Sequence, residues 1–194
     1  MKIYVNKEIV NGPWGGGNKT VRCLNKAIVE KGHDLYHNLV PDLDVIFCFD
    51  PRPNNRNIWY QDFLNYKKKY PKTKIIQRVG DIGTHSKPDL NKLVKETVQY
   101  SDFIVFPSEW SMKSIHYDKK NYEIIENSPL KVFSDSKKNK NLDLKKVKIV
   151  THHWSTNQKK GFDVYSALGS LIHDKKINNI EFTYIGRYPE GQPA

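Results

Sequence analysis

The stretch KIIQRVGDIGTHSKPDLNKLVKETVQYSDFIVF, residues 74–106, decides the fold class. It begins with a short apolar run (74–79) and ends with another (102–106), and both are rich in β-branched and aromatic residues. Between the two runs, four apolar residues recur at helical spacing, Leu90, Leu93, Val94 and Val98. A strand, a helix and a second strand in this order predict a βαβ unit with parallel strands.

The same pattern extends toward both ends of the chain. Three further apolar runs have the same character, KIYV at 2–5, DVIFCF at 44–49 and YEIIE at 122–126. DLYHNL at 34–39 predicts a short additional strand at an edge of the sheet. Residues 1–133 therefore predict one α/β domain built around a mostly parallel sheet.

A polar, charged segment at 134–146 lacks hydrophobic periodicity, so we expect a linker between domains. After it, KIVTHH at 148–153 and EFTYIG at 181–186 flank a second helical pattern. Residues 147–194 thus predict the first βαβ unit of a second domain. Two strands leave most of the apolar surface of such a domain uncovered, so we expect the native chain to continue past Ala194.

The composition suits a folded protein, because 38% of the 194 residues are hydrophobic. No apolar run approaches the about 18 residues needed to span a bilayer, and the first residues do not resemble a signal peptide. A cytoplasmic location is therefore expected. Cys23 and Cys48 lie in apolar patterns, which predicts two buried thiols and argues against a disulfide or a zinc site.

The formal net charge is +11, from 32 Lys and Arg against 21 Asp and Glu. Such a charge attracts anions of every kind, and solvated lysines on exposed faces explain it equally well. No recognition helix, zinc finger or aromatic RNA-binding motif is evident, so no nucleic-acid partner is expected. Peripheral contact with an anionic membrane stays open, although the sequence contains no evident amphipathic anchor.

Ligands of open α/β sheets bind beyond the carboxyl ends of the strands, which makes the residues there candidates for function. Gly15 and Gly16 follow the first run and precede a helix, where free amides favour an anion. A flexible loop without a ligand is the alternative. Arg78, Asp81 and His85 surround the end of a later run. The alternative, a glycine turn at 80–83 followed by a helix cap, explains Asp81 but not Arg78 or His85. Arginine can pair with phosphate or carboxylate, and Asp or His can orient or deprotonate a hydroxyl.

Further candidates follow the other strands. Ser108 comes after the run at 102–106, where the alternative is an N-cap of the next helix. The second unit offers four candidates at its strand ends and at its loop-to-helix junction, His153, Lys160, Gly161 and Arg187. The junction suits a diphosphate, whereas a solvated lysine pair is the alternative.

Several motifs occur in one order over nearly the whole chain. They are GPWGGGNKTVRCLNKAIVEKGHDL, QRVGD, SDFIVFPSEW, IIENSPLKVF, and VTHHWSTNQKKGFDVY with EFTYIGR. In this order they resemble the retaining glycosyltransferases of the GT-B fold, family four, also called group 1 glycosyltransferases. The fold that this resemblance implies is a complete N-terminal Rossmann-like domain, on the acceptor side, followed by the first βαβ unit of a second, donor-binding Rossmann-like domain.

The resemblance implies an enzyme that moves a sugar from a nucleotide-diphosphate donor to a hydroxyl acceptor, with retention at the anomeric carbon and without an obligatory metal or other cofactor. By position, Arg78 and Asp81 would face the reacting sugar, and Asp81 is the best catalytic candidate because it could orient the acceptor or the donor sugar. The implied donor- and phosphate-binding residues are Gly15, Gly16, Lys160, Gly161 and Arg187. The implied residues of the acceptor side or of the cleft are His85, Ser108 and His153.

One departure from the family pattern concerns the donor site. The family carries two glutamates separated by seven residues late in the second domain, and no two glutamates in this chain have that spacing. We therefore expect the 194-residue chain on its own to be inactive. The alternative hypothesis is a natural short protein that binds a glycan or a nucleotide without catalysis.

Overall fold

The chain forms two compact units, Met1–Ser128 and Pro129–Ala194. The computed structural model describes residues 1–12, 15–84, 87–129, 145–153 and 155–188. The predicted domain end at residue 133 and the predicted linker at 134–146 lie outside the described residues, except for the last two positions of the linker.

The first unit is built on a six-stranded sheet in which all neighbouring strands are parallel. Its strands are β1 (Lys2–Val5), β2 (Asp34–Tyr36), β3 (Val45–Cys48), β4 (Lys74–Arg78), β5 (Phe103–Phe106) and β6 (Tyr122–Ile124). They lie in the order β2-β1-β3-β4-β5-β6, so the predicted edge strand is at an edge. This is a Rossmann-like α/β fold, and the predicted fold class is confirmed at that level.

Helices connect the strands of this sheet. Their bounds are α1 (Gly16–Glu30), α2 (Tyr60–Lys69), α3 (Pro88–Thr97) and α4 (Glu109–Ser114). The buried positions of α1 are spaced three and four residues apart, Asn18, Val21, Asn25 and Ile28. Such spacing gives the helix one face toward the sheet and one toward solvent. Proline at the first position of α3 fits there, because its missing N–H has no partner within the helix anyway.

Helices cover both faces of the sheet. On one face, Tyr4 of β1 packs against Phe63 of α2, with their ring centroids 5.9 Å apart. On the other face, Ile3 and Val5 pack with Val21 of α1. Since successive residues of β1 meet different helices, Ile3, Tyr4 and Val5 are all apolar and appear in the sequence as a continuous run.

A buried polar network links α2, β4, α3 and the start of β5. Gln77 is fully buried, its amide nitrogen donates to Oγ1 of Thr97 at 2.9 Å, and its amide oxygen accepts from Oγ of Ser101 at 3.0 Å. The hydroxyl of Tyr60 lies 2.9 Å from the same Ser101 oxygen. An unpaired buried amide would cost about 1–3 kcal/mol, so these bonds favour one arrangement of the four elements.

The second unit contains β7 (Val147–His153) and β8 (Ile180–Gly186), which pair in parallel. A 3-10 turn (Gln158–Lys160) and α5 (Phe162–His173) connect them, so the predicted βαβ unit is present. Phe162 is fully buried, and three tyrosine rings lie within 5.8 Å of its ring centre, those of Tyr165, Tyr184 and Tyr188.

The prediction of two buried thiols is wrong for Cys23. Cys48 is buried in β3, and burial raises the pKa of its thiol, whereas Cys23 is exposed on α1. Each residue turns an α-helix by about 100°, so Cys23 lies on the opposite side of α1 from Val21, which packs on the sheet. None of the described helices is long and apolar enough to cross a membrane.

Asp102 anchors the start of β5 to the neighbouring strand and helix. Its carboxylate accepts the N–H of Ile75 at 2.8 Å and forms ion pairs with Lys67 and, at 3.7 Å, with Lys74. Burial alone would raise the pKa of Asp102, but the Ile75 N–H and the two ammonium groups outweigh that effect and lower the pKa.

We therefore expect acid to destabilise the protein through Asp102. Because the pKa in the folded state lies below the unfolded value of about 3.9, the stabilisation is present above that pH and is lost as the pH falls through the folded-state pKa. When the pH falls from about 6 to about 2.5, the free energy of unfolding measured in urea should decrease by about 1 kcal/mol less for Asp102→Asn than for wild type. Asp118→Asn removes an exposed carboxylate and serves as the control. Equal losses in Asp102→Asn and wild type would contradict this role.

Candidate functional site

The candidate site lies at the carboxyl edge of the six-stranded sheet. From β1 the chain runs to β2 on one side and then returns to β3 on the other, and ligands of open α/β sheets bind at such a reversal. A small open cleft lies at this edge. It is lined by residues 49–52 after β3, by residues 77–81 at the end of β4, and by Leu90 and Val94 of α3.

Three side chains stand in a row across this edge, Lys7, Phe49 and Arg78. The parallel pairings of β1 with β3 and of β3 with β4 align them on the sheet face that α1 covers. Nζ of Lys7 lies 5.5 Å and Cζ of Arg78 lies 5.0 Å from the centre of the Phe49 ring. Two cations therefore share one aromatic ring, in contacts that are individually favourable.

Arg78, a candidate from the sequence, is half-buried at the end of β4. Its Nη2 donates to Oδ1 of Asn127, which follows β6, at 2.8 Å. A Cβ atom at Gly80 would lie 2.9 Å from Nη1, so glycine at this position leaves room for the guanidinium. Burial lowers the pKa of Arg78. The side chain is thus held by an amide and a ring, neither of which neutralises its charge.

Asp50 and Arg52 form a two-pronged ion pair on the loop after β3. Nε of Arg52 lies 2.9 Å from Oδ1 of Asp50, and Nη2 lies 2.6 Å from Oδ2. Buried Asn6 holds this loop, because its Oδ1 accepts the N–H of Phe49 at 2.7 Å and its Nδ2 donates to the carbonyl of Asp50. Burial alone would raise the pKa of Asp50, but the hydrogen bonds and charge of Arg52 outweigh it and lower the pKa.

Asp81, the leading catalytic candidate, lies on the loop between β4 and α3. Its carboxylate accepts the N–H of Gly83 at 2.9 Å and pairs with Nζ of Lys87 at 2.7 Å. Burial alone would raise the pKa of Asp81, but these two hydrogen bonds and the charges of Lys87 and Arg52 lower it. A carboxylate with a lowered pKa is a weak base, so Asp81 suits hydrogen bonding to a hydroxyl better than removal of its proton.

Gly15 is the N-cap of α1, and Gly16 is its first residue. A Cβ atom at either position would meet no described atom within 4 Å, and neither has a positive φ. The local fold therefore does not require glycine at these positions, and contact with phosphates stays a prediction. Asn18 fixes the segment beside them, because its Oδ1 accepts the N–H of Val10 at 2.9 Å and its Nδ2 donates to the carbonyl of Val10 at 2.7 Å.

Ser108 is the N-cap of α4. Its Oγ accepts the N–H of Ser111 at 3.2 Å, and its carbonyl accepts the hydroxyl of Ser111 at 2.7 Å. The capping alternative is therefore observed, and it accounts for serine at this position. His85, the candidate after Asp81, lies outside the described residues.

The second unit brings its four candidates to the carboxyl ends of β7 and β8. Lys160 is exposed at the end of the 3-10 turn, and Gly161 has a φ of +90° before α5. His153 is engaged with Tyr165, whose hydroxyl lies 2.6 Å from Nε2 and donates to the carbonyl of Lys160 at 3.0 Å. The backbone N–H of Arg187 donates to the carbonyl of His153 at 3.2 Å. These contacts hold the turn and the strand ends together.

The sequence did not point to Lys7, Phe49 or the pair Asp50 and Arg52. DPR at 50–52 directly follows an apolar run, so the rule that selected Arg78 would have found it. Lys7 and Phe49 become visible only when the strand register is known. Within the part of the chain that the structure describes, no three His, Cys, Asp or Glu side chains are grouped closely enough to hold a metal ion.

The chain was also compared with known proteins. No family model matches it, and no curated protein matches it significantly. The resemblance to family-four glycosyltransferases therefore rests on the order of the sequence motifs. The structure adds a Rossmann-like sheet and a cleft at its carboxyl edge.

Proposed function

We propose that the protein is a GT-B type glycosyltransferase that moves a sugar from a nucleotide-diphosphate donor to a hydroxyl acceptor with retention of configuration. The observation that carries the proposal is the small cleft at the carboxyl edge of one parallel sheet, which Asp81 and Arg78 both line. Both residues were selected from the sequence for contact with a sugar. The order of the motifs supports the choice of family.

The proposed roles follow from the charge and placement of each group. Asp81 accepts a hydrogen bond from a hydroxyl of the reacting sugar or of the acceptor, and Arg78 lies on the same side of that sugar. In the second unit, Lys160 at the end of the 3-10 turn and Arg187 directly after β8 bind the diphosphate. Cations in these positions stabilise the negative charge that develops on the leaving nucleoside diphosphate.

The test uses protein isolated from its native source, with the intact mass measured first so that the full chain is known. It is incubated with a panel of nucleotide-diphosphate sugars and with hydroxyl acceptors of glycan, lipid-linked and protein-linked type. We expect release of the nucleoside diphosphate together with a new glycosidic bond. The anomeric coupling in the NMR spectrum of the product should show the same configuration as the donor.

Three outcomes would count against the proposal in different ways. Transfer with inverted configuration would contradict the retaining mechanism, and binding of a donor without transfer would favour the non-catalytic alternative. Failure to bind or cleave any of the donors would overturn the proposal. Glu109→Gln changes an exposed carboxylate on α4 and should leave the transfer rate unchanged.

A further inference from the structure

Two positive charges in the candidate site form no direct ion pair, although Asp50 attracts the charge of Lys7 from a longer distance. The aspartates of the cleft, Asp50 and Asp81, are paired with Arg52 at 2.6 Å and with Lys87 at 2.7 Å. Among the residues that the structure describes, no carboxylate oxygen lies within 4 Å of Lys7 or Arg78. Of the two cations beside the Phe49 ring, Arg78 is therefore the less compensated.

Arg78 is the more informative of the two cations. A guanidinium has several N–H donors in a fixed fork, and one described hydrogen bond, to Asn127, uses one of them. The group is also half-buried, which disfavours its charge. Removing a cation from water without a partner costs free energy. A phosphate or carboxylate that accepts hydrogen bonds from the free side of the fork would offset that cost.

Lys7 adds a second charge beside the same ring. The segment that carries it is fixed by the two hydrogen bonds between Asn18 and Val10. A Cβ atom at Gly17 would lie 3.5 Å from Nζ of Lys7, at ordinary van der Waals distance, so the ammonium lies beside the first turn of α1. The two cations are therefore placed by the fold rather than by partners of opposite charge.

The cleft also offers acceptors for hydroxyl groups. Asp50 and Asp81 both have a lowered pKa, so both are carboxylates at neutral pH. A carboxylate accepts hydrogen bonds and repels anions. The site thus combines carboxylates that accept hydrogen bonds from hydroxyls with two cations, Lys7 and Arg78, that form no ion pair. A ligand that binds to both features carries hydroxyl groups and one anionic group.

We propose that Lys7 and Arg78 form a subsite for a phosphate or carboxylate group carried by the sugar acceptor, which makes the acceptor a sugar phosphate or a sugar acid. The assignment to the acceptor rests on the proposed function, whereas anion binding at these two residues does not. With its anionic group fixed at Arg78, the acceptor presents a hydroxyl to Asp81. Such two-point contact orients the nucleophile before transfer.

The experiment measures binding to the 194-residue chain by calorimetry, with glucose 6-phosphate, glucuronic acid, neutral glucose and uridine diphosphate as probes. We expect glucose 6-phosphate to bind about tenfold or more tightly than glucose, and Arg78→Gln to remove about that factor. Lys7→Gln should weaken glucose 6-phosphate binding several-fold. Arg22→Gln makes the same chemical change at an exposed position of α1 and should bind like wild type.

Several results would overturn the subsite. These are equal affinity for glucose and glucose 6-phosphate, an unchanged Kd in Arg78→Gln, or no binding of either anionic probe at about 10 mM. If Arg78→Gln weakens uridine diphosphate alone, the cations serve the donor and the assignment to the acceptor is wrong. If the protein binds the anionic probes but transfers no sugar, the subsite is supported and the proposed glycosyltransferase function is overturned. Transfer by wild type to neutral glucose at the same rate as to glucose 6-phosphate would support the glycosyltransferase function and overturn the subsite.

Discussion

Replacing Gly83 with alanine is expected to lower the free energy of unfolding of the first unit by about 3 kcal/mol. Gly83 has a φ of +71°, and a Cβ atom there would lie 2.5 Å from the amide nitrogen of Asn91 and 2.6 Å from the carbonyl oxygen of Lys87. Both atoms belong to the backbone at the start of α3, so no side-chain rotation relieves the contact. The loop or the helix has to move, and the bonds from Gly83 and Lys87 to Asp81 weaken.

Gly32→Ala is the matched control. Gly32 has a φ of +73°, but a Cβ atom there would meet no described atom within 4 Å. We expect a loss of about 1 kcal/mol from the left-handed backbone alone. Hydrogen exchange of the β4 and β5 amides during urea unfolding reports on the first unit and measures both variants. Equal losses would show that the close approach to α3 does not determine the choice of glycine at position 83.

Asp81→Asn is expected to lower the rate of sugar transfer by about 10²- to 10³-fold in the full chain. Asparagine has the same shape, and its side-chain oxygen can still accept the N–H of Gly83, so the loop should keep its conformation. The substitution removes the negative charge, which strengthens the hydrogen bond from the hydroxyl and forms the ion pair with Lys87. Because the pKa of Asp81 is lowered, its protonation should not reduce the wild-type rate until the pH falls below about 3.9.

Asp89→Asn controls for the loss of a carboxylate near the same loop. Asp89 is exposed in the first turn of α3, and we expect its variant to keep the wild-type rate within about twofold. Rates are measured with the donor and acceptor that the transfer assay identifies. A rate for Asp81→Asn equal to that of Asp89→Asn would remove Asp81 from the catalytic site.

The sequence predicted the central strands well because burial on both faces makes them continuous apolar runs. Four of the five main strands differ from their predicted bounds by one or two residues, and β1 matches its prediction. Edge strand β2 is three residues long, although six were predicted. Its residues are only partly buried, so the sequence contains no change in apolar pattern that marks where the strand ends. Cys23 was misplaced because an apolar neighbourhood along the chain does not show which side of a helix a residue occupies.

The candidate site was predictable only in part. Arg78 and Asp81 follow an apolar run directly, so the rule about strand ends selects them. Lys7 and Phe49 come from other strands, and their contact with Arg78 depends on the register between β1, β3 and β4. Local sequence carries no information about that register until the strands are paired, and the same holds for the hydrogen bond that Arg78 donates to Asn127.

The two outermost strands of the first sheet, β2 and β6, have three residues each. A free strand edge can template the addition of another chain through backbone hydrogen bonds, and a short edge offers few such groups. The cleft, in contrast, uses the ends of the inner strands β3 and β4. The positions that could start intermolecular sheet growth are thus separate from those that contact a ligand, so mutations at the ligand site should not by themselves promote aggregation through the edges of this sheet.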